Sequence, residues 1–235
     1  MGGPDERALK LYDEHAKSCA PDDFWSQVKR TVAGKPVDDA QIDMIVEGVR
    51  NGLDLASGDV LLDLCCGNGA LTNRMFDLCA GGVGVDASQY LIEIAERNFA
   101  RPPDRLYVVG EVAAFAASTP DNNIFTKALC YGSFKYLSNE TAQRLLESLH
   151  KRFAGVGAIF IGNNADKALA KSFFYNDAYK PGTEDAHDSF LGMWRSEEEF
   201  SALADRSGWR AYFSRMPATF YAARFCYDVL LTRAA

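Results

Sequence analysis

The stretch Val60-Leu-Leu-Asp-Leu-Cys-Cys-Gly-Asn-Gly-Ala-Leu-Thr72 reads as a strand, a small-residue turn and the start of a helix. Its apolar run, 60–64, is short and bounded by Gly58-Asp59 before and by glycines after, as a buried parallel strand would be. Gly67 and Gly69 carry no Cβ and so let the backbone come close to a ligand. The helix that follows points its free N–H groups at the same spot. Asp63 is the odd residue, because a carboxylate inside an apolar run needs a partner.

Outward from this stretch the same alternation recurs. Gly81 to Asp86 is a second strand ending in an acid, and Ser88 caps a helix over 89–100 with Leu91, Ile92, Ala95 and Phe99 on one side. After Pro102-Pro103 come a third strand at 106–109, a fourth at 124–131, a helix over 139–152 and a fifth strand at 155–161. A helix around 165–175 leads into a polar loop, 176–192, and Ser196 and Glu199 stand at capping-box spacing before a helix to Ser207. Segments 209–216 and 221–232 are strands with no helix between them, an expected antiparallel pair. Upstream, 5–18 and 22–33 read as amphipathic helices, Gly34-Lys-Pro36 as a turn, and Asp38-Asp39 starts a third helix bearing Ile42, Ile45, Val46 and Val49. The expectation is an α/β fold: a doubly wound seven-stranded sheet, mainly parallel with a terminal antiparallel hairpin, and an N-terminal helical cap. The cap is expected over 1–55 and the sheet domain over 56–235, with a substrate-covering insertion at about 164–195.

The totals narrow the function classes. Thirty-two acidic against 25 basic residues give a net charge of −7, which argues against a broad nucleic-acid-binding face. The six cysteines form no CxxC pair and no metal-ligand spacing with the three histidines, so they read as small buried residues of a reducing compartment. There is no signal-peptide core at the N-terminus, and no apolar stretch approaches the roughly 20 residues of a membrane span. The expectation is a cytoplasmic protein with a small-molecule partner, no nucleic acid, no membrane and no metal; monomer and homodimer both stay open.

Ligands on doubly wound sheets bind at the carboxyl ends of the strands. That gathers Gly67–Gly69, Asp86, Glu111–Val112 and Tyr131 around one crevice. Asp86 lies 86 − 63 = 23 residues after Asp63, about the offset at which an acid grips ribose hydroxyls. A nicotinamide cofactor would call for GxGxxG, but the third position holds Thr72 counted from Gly67, or Ala70 counted from Cys65. Asp63 would also repel a pyrophosphate, whereas it suits a ligand bearing ammonium and sulfonium groups.

At this point Asp63-Leu-Cys-Cys-Gly-Asn-Gly69 resembles motif I of the class I, Rossmann-like S-adenosylmethionine-dependent methyltransferases, and Gly84-Val-Asp86-Ala-Ser88 resembles their second motif. The likeness covers about 58–163 and the terminal strand pair. Cys65 departs from it, since the family usually has its first glycine there. The resemblance implies S-adenosylmethionine as cofactor and S-adenosylhomocysteine as product. It implies cofactor contacts from Asp63, Cys65, Gly67, Asn68, Gly69, Asp86, Ala87, Glu111, Val112 and Cys130, with Asp86 on the ribose and Glu111–Val112 around the adenine. A softer resemblance, through Phe173-Phe-Tyr-Asn176, Gly192-Met-Trp194 and Tyr221 to Asp228, is to bacterial small-molecule methyltransferases of polysaccharide or secondary-metabolite pathways.

The acceptor is less legible. Cys130-Tyr131-Gly132-Ser133 replaces the Asn/Asp-Pro-Pro-Tyr/Phe of enzymes that methylate adenine or glutamine amino groups, and Cys130 does not follow a proline as a cytosine-C5 nucleophile commonly does. An O or N atom of a small molecule is the expected target. His187 is the candidate general base because it titrates near neutrality, set against an ordinary solvated loop histidine. Tyr131 is a candidate pocket wall or hydrogen-bond donor. Trp25 with Lys29 and Arg30 reads either as a lid with a cation for a carboxylate or as a helix with a solvated basic end. Trp194, Phe173, Phe174 and Tyr175 read as pocket lining or as core. The competing functions are a nicotinamide-dependent oxidoreductase and a non-catalytic S-adenosylmethionine-binding module.

Overall fold

A computed structural model describes residues 12–120, 123–174, 179–186 and 191–234. Helix α1 (12–18) and the short α2 (Phe24–Gln27) precede a two-stranded hairpin, β1 (Thr31–Val32) and β2 (Lys35–Pro36). The helix expected over 22–33 therefore stops early. The backbone turns left-handed at Lys29 (φ 54°) and again at Ala33 and Gly34, which converts the second half into the hairpin. Helix α3 (Asp39–Leu53) follows, with Asp38 accepting from the Gln41 N–H as its cap.

The alternating core then runs β3 (Leu61–Leu64), α4 (Ala70–Phe76), β4 (Gly82–Asp86), α5 (Gln89–Phe99), β5 (Arg105–Val109), α6 (Val112–Ser118), β6 (Lys127–Tyr131), α7 (Asn139–Arg152) and β7 (Ala158–Ala165). A short α8 (Ala170–Phe173), α9 (Glu197–Arg206), β8 (Trp209–Ser214) and β9 (Cys226–Arg233) complete it. The expected caps are present: Ser88 accepts from Leu91 N–H, and Ser196 with Glu199 forms a capping box. Helix α6 has no counterpart in the sequence reading.

The seven strands lie in the order β5-β4-β3-β6-β7-β9-β8. Neighbours from β5 to β7 are parallel, and β9 inserts antiparallel between β7 and β8. The doubly wound, mainly parallel sheet with a terminal antiparallel pair is thus the architecture observed. One face is covered by α6, α7 and α9 through residues such as Ala113, Leu146 and Phe200. The other is covered by α3, α4 and α5 through Ile45, Phe76 and Ile92.

Two of the expected boundaries shift. Helix α3 belongs to the sheet packing: Ile42, Ile45, Val49 and Leu53 are buried with Leu61 and Leu129, and a Cβ on Gly52 would stand 2.5 Å from Phe160. From the segment before α3, Tyr12, Val28, Lys29 and Arg30 reach the strand ends, while Val37 packs in the same core as α3. The 164–195 segment does not cover the crevice with its described residues. Phe173, Phe174 and Trp194 stack on one another, and Ala165, Ala170, Trp194, Tyr179 and Phe225 form a small separate core.

Candidate active site

The parallel strands end together, and β3 sits where the connections switch direction, so the turn after β3 looks into the crevice. Cys65 there is left-handed (φ 63°), a conformation that costs an L-residue about 1–2 kcal/mol and that glycine would adopt freely. Its thiol is held well above its ordinary pKa, first by a hydrogen bond with the Cys130 thiol and then by burial. Cys65 is therefore a neutral thiol on the cavity wall, and Cys130, 1% exposed, supports it from behind.

The two turn glycines do different jobs. Gly67 (φ 58°) lines the cavity and donates its N–H to Asp86 Oδ2 at 2.8 Å; a Cβ would meet Val28 Cγ1 at 2.9 Å. Gly69 (φ 76°) is not on the cavity. A Cβ there would stand 2.8 Å from Ala95 Cβ and from Tyr107 Cε1, so its need is the packing of α4 on α5 and β5 rather than a ligand's approach. Between them Asn68, 1% exposed, donates to Phe24 O (2.8 Å) and to Gln27 Oε1 (2.9 Å), tying the turn to α2.

Three carboxylates face the crevice from successive strand ends. Asp63, 3% exposed, finds its partner in Thr72, whose hydroxyl donates to Oδ2 at 2.6 Å. Burial pushes its pKa up to about 7; the Thr72 hydroxyl and the Arg30 charge pull it down, and the Asp86 charge adds to the rise. Asp86 accepts from Ser88 N–H (2.9 Å) and Gly67 N–H (2.8 Å), donors that partly offset the upward push of burial on its pKa. Each oxygen keeps a lone pair for a ligand hydroxyl. Ala87 lines the wall beside it. Glu111 spends its carboxylate on α6, accepting from Ala113 N–H (2.9 Å) and Ala114 N–H (2.7 Å), so it shapes the cavity together with Val112.

The cap lines the other side. Asp13 accepts from the Ser88 hydroxyl, and the Tyr12 ring stands edge-on to Tyr136, their centroids 5.4 Å apart. Arg30 lies between two rings, its guanidinium 5.5 Å from the Trp25 centroid and 5.6 Å from that of Tyr131. Trp25 is off the cavity and backs Arg30. The Tyr131 hydroxyl and Asn163 Oδ1 are buried without a hydrogen-bond partner. The resulting cavity measures about 280 Å³ and includes Tyr12, Val28, Lys135 and Tyr221 in its walls.

Asn163, Thr72 and Tyr12 escaped the sequence reading. Thr72 had a signal, since nine residues separate it from a strand carboxylate that lacked a partner; Asn163 had none. His187 lies outside the described residues. His15 bonds Ser26 O at 2.8 Å, and His150 packs edge-on against Trp209, so both are structural. Among the described residues no group of His, Cys, Asp and Glu could hold a metal ion, and no helix is long and apolar enough to cross a membrane.

Residues 61–155 match the methyltransferase domain family. The chain is a class I, S-adenosylmethionine-dependent methyltransferase. An uncharacterized methyltransferase of Schizosaccharomyces pombe is 22% identical over 204 residues, which cover 82% of this methyltransferase and 73% of the relative. Its fold is that of a SAM-dependent methyltransferase from Leishmania major (TM-score 0.69, 16% identity, 99% of this chain and 85% of that one). DhpI in complex with SAM and HEP is also similar (TM-score 0.68, 15% identity, 100% and 99%). The methyltransferase cavity suits this cofactor. Asp63 offers a negative charge for its cationic end, Asp86 offers acceptors for ribose hydroxyls, and Arg30 offers a cation for its carboxylate.

Proposed function

We propose that this methyltransferase acts on an oxygen or nitrogen atom of a small molecule. The observation that carries the reading is a partial roof: Tyr12, Val28, Lys29 and Arg30 of the cap line the cavity over the strand ends. A chamber of about 280 Å³ under such a roof favours a small acceptor over an extended polymer.

When bound, S-adenosylmethionine supplies a methyl group already activated by its positive sulfur, and it leaves as S-adenosylhomocysteine. The chain's task is then to align, to exclude water and to hold the acceptor. Asp86 would hold the ribose, Glu111 and Val112 would frame the adenine, and Asp63 would face the cationic end. Cys65, Gly67, Asn68 and Ala87 give the backbone shape between them. Burial raises the Tyr131 phenol well above its ordinary pKa, so at neutral pH it remains a hydrogen-bond donor and not a base. Tyr131, at the end of β6, would stand against the acceptor atom.

Calorimetry with S-adenosylmethionine, and with NADH as the control dinucleotide, tests the cofactor side. The expected result is binding of the first alone, weakened about tenfold or more in Asp86→Ala, as the loss of charged hydrogen bonds predicts. No binding at millimolar concentration, or an Asp86→Ala protein that binds as tightly as wild type, would overturn the reading.

A further inference from the structure

The charges around the cavity are sorted. Its acids, Asp63, Asp86 and Glu111, stand at the ends of β3, β4 and β5, whereas its cations come from the cap (Lys29, Arg30) and from the turn after β6 (Lys135). S-adenosylmethionine carries one carboxylate. Arg30, whose charge is felt at Asp63, is placed to meet it. Lys29, whose ammonium lies 4.1 Å from the Tyr12 ring centroid, and Lys135 then exceed what the cofactor requires.

Lys135 is held in place from outside the cavity. Met193 N–H donates to its carbonyl at 2.7 Å, and a Cβ on Gly192 (φ 71°) would come within 2.9 Å of Lys135 Cγ. This is the work of the Gly192-Met-Trp194 segment, which no cofactor contact explains. The ammonium stands 5.3 Å from the Tyr136 ring centroid, and among the described residues no carboxylate pairs with it. Lys135 lines the cavity together with Tyr131, Gly132 and Ser133, and its charge is felt at Cys226, the first residue of β9.

Tyr131 and Asn163 share the cavity wall with it, and the Tyr131 hydroxyl and Asn163 Oδ1 are two of the four buried polar atoms without a partner among the described residues. Buried polar groups in native proteins are nearly always satisfied, so such a pair needs an explanation. One offers a hydrogen and the other lacks one, the complement of a hydroxyl or an amine. The fold keeps Asn163 there through a β-bulge. The register slips between Ile161 and Asn164, Asn163 is left-handed (φ 60°), and its N–H donates to Asp228 Oδ1 at 2.7 Å. Bulges of this kind re-aim side chains next to active sites.

We propose that the acceptor is a small molecule carrying an oxyanion, a carboxylate or a phosphoryl group, which Lys135 receives while Tyr131 and Asn163 hold the hydroxyl or amine to be methylated. This rests on the methyltransferase reading and names the substrate class of the same cavity.

The test uses the full chain with S-adenosylmethionine and a panel of hydroxy acids, amino acids and phosphate esters, each paired with its neutral amide or alcohol. Methylated products and S-adenosylhomocysteine are read by mass spectrometry. The expected result is methylation confined to the anionic members. Lys135→Gln raises the KM of the best of them about tenfold or more, the worth of a charged hydrogen bond, and narrows the anionic preference by the same factor. Lys135→Arg restores the preference, and neither variant changes the Kd for S-adenosylmethionine. Methylation of the neutral members as well, of the neutral members alone or of no member overturns the proposal. So does a Lys135→Gln enzyme that keeps its preference. Failure of the wild-type chain to bind S-adenosylmethionine is a separate result, and it refutes the methyltransferase reading itself.

Discussion

Asp63→Asn is expected to stabilise the cofactor-free protein and to weaken its hold on the cofactor. The carboxylate is 3% exposed in β3, and burial raises its pKa from an ordinary 3.8 to about 7. A folded-state pKa above the unfolded one means that the native form keeps a proton which the unfolded chain has already lost. The associated stability is complete below about pH 4 and is lost as the pH rises through about 7. Roughly three units at 1.36 kcal/mol each amount to about 4 kcal/mol by pH ~8. Asparagine pays no such penalty at any pH, and its carbonyl can still accept the Thr72 hydroxyl. Urea unfolding of both proteins should therefore show a stability gap that opens from about 1 kcal/mol at pH ~4.5 to about 4 kcal/mol at pH ~8. In calorimetry the variant should bind S-adenosylmethionine about tenfold to a hundredfold more weakly, since it lacks the countercharge. Wild-type binding should tighten and release a proton as the pH rises from ~6 to ~8, because the cationic ligand favours the ionised carboxylate. A gap that stays constant with pH, or equal cofactor affinity in the two proteins, would refute this account of Asp63.

Two further outcomes follow from backbone geometry. Gly69→Ala should lower stability by about 1–3 kcal/mol, from a strained left-handed φ together with overpacking against Ala95 and Tyr107, and a melt without ligand measures it. Asp228→Ala should cost about 1–3 kcal/mol and reduce turnover while leaving S-adenosylmethionine affinity intact, because it frees the Asn163 N–H; Asp228→Asn, which retains an acceptor, should recover most of both in unfolding and turnover assays.

The strands and helices were readable where the pattern is local. The apolar run before Cys65, the acid closing β4 and the serine caps each announce themselves within a few residues. The cap was not readable in the same way. Residues 22–33 have amphipathic spacing throughout, and only the left-handed turn at Lys29 ends the helix. Helix α6 is capped by Glu111, a residue whose cofactor reading concealed that role. The site divides along the same line. Asp63, Asp86 and Tyr131 stand at strand ends and could be placed from topology. Asn163 depends on a bulge and on Asp228, 65 residues away, a contact that no local pattern carries. Gly69 shows the converse: it was legible as part of a motif, but its reason is a neighbouring helix and strand.

Asn68 has a consequence for how such an enzyme can change. Its amide reaches back 44 residues to Phe24 O and 41 to Gln27 Oε1, with all the partners buried or half-buried. The cap and the turn after β3 are therefore joined through one buried amide. A chimera that takes its cap from a relative with a different acceptor keeps the carbonyl at position 24 but would leave the position-68 amide short of its side-chain partner, unless residues 27 and 68 are exchanged as a pair. Swapping acceptor specificity in this protein is a transplant with one suture inside the cofactor site.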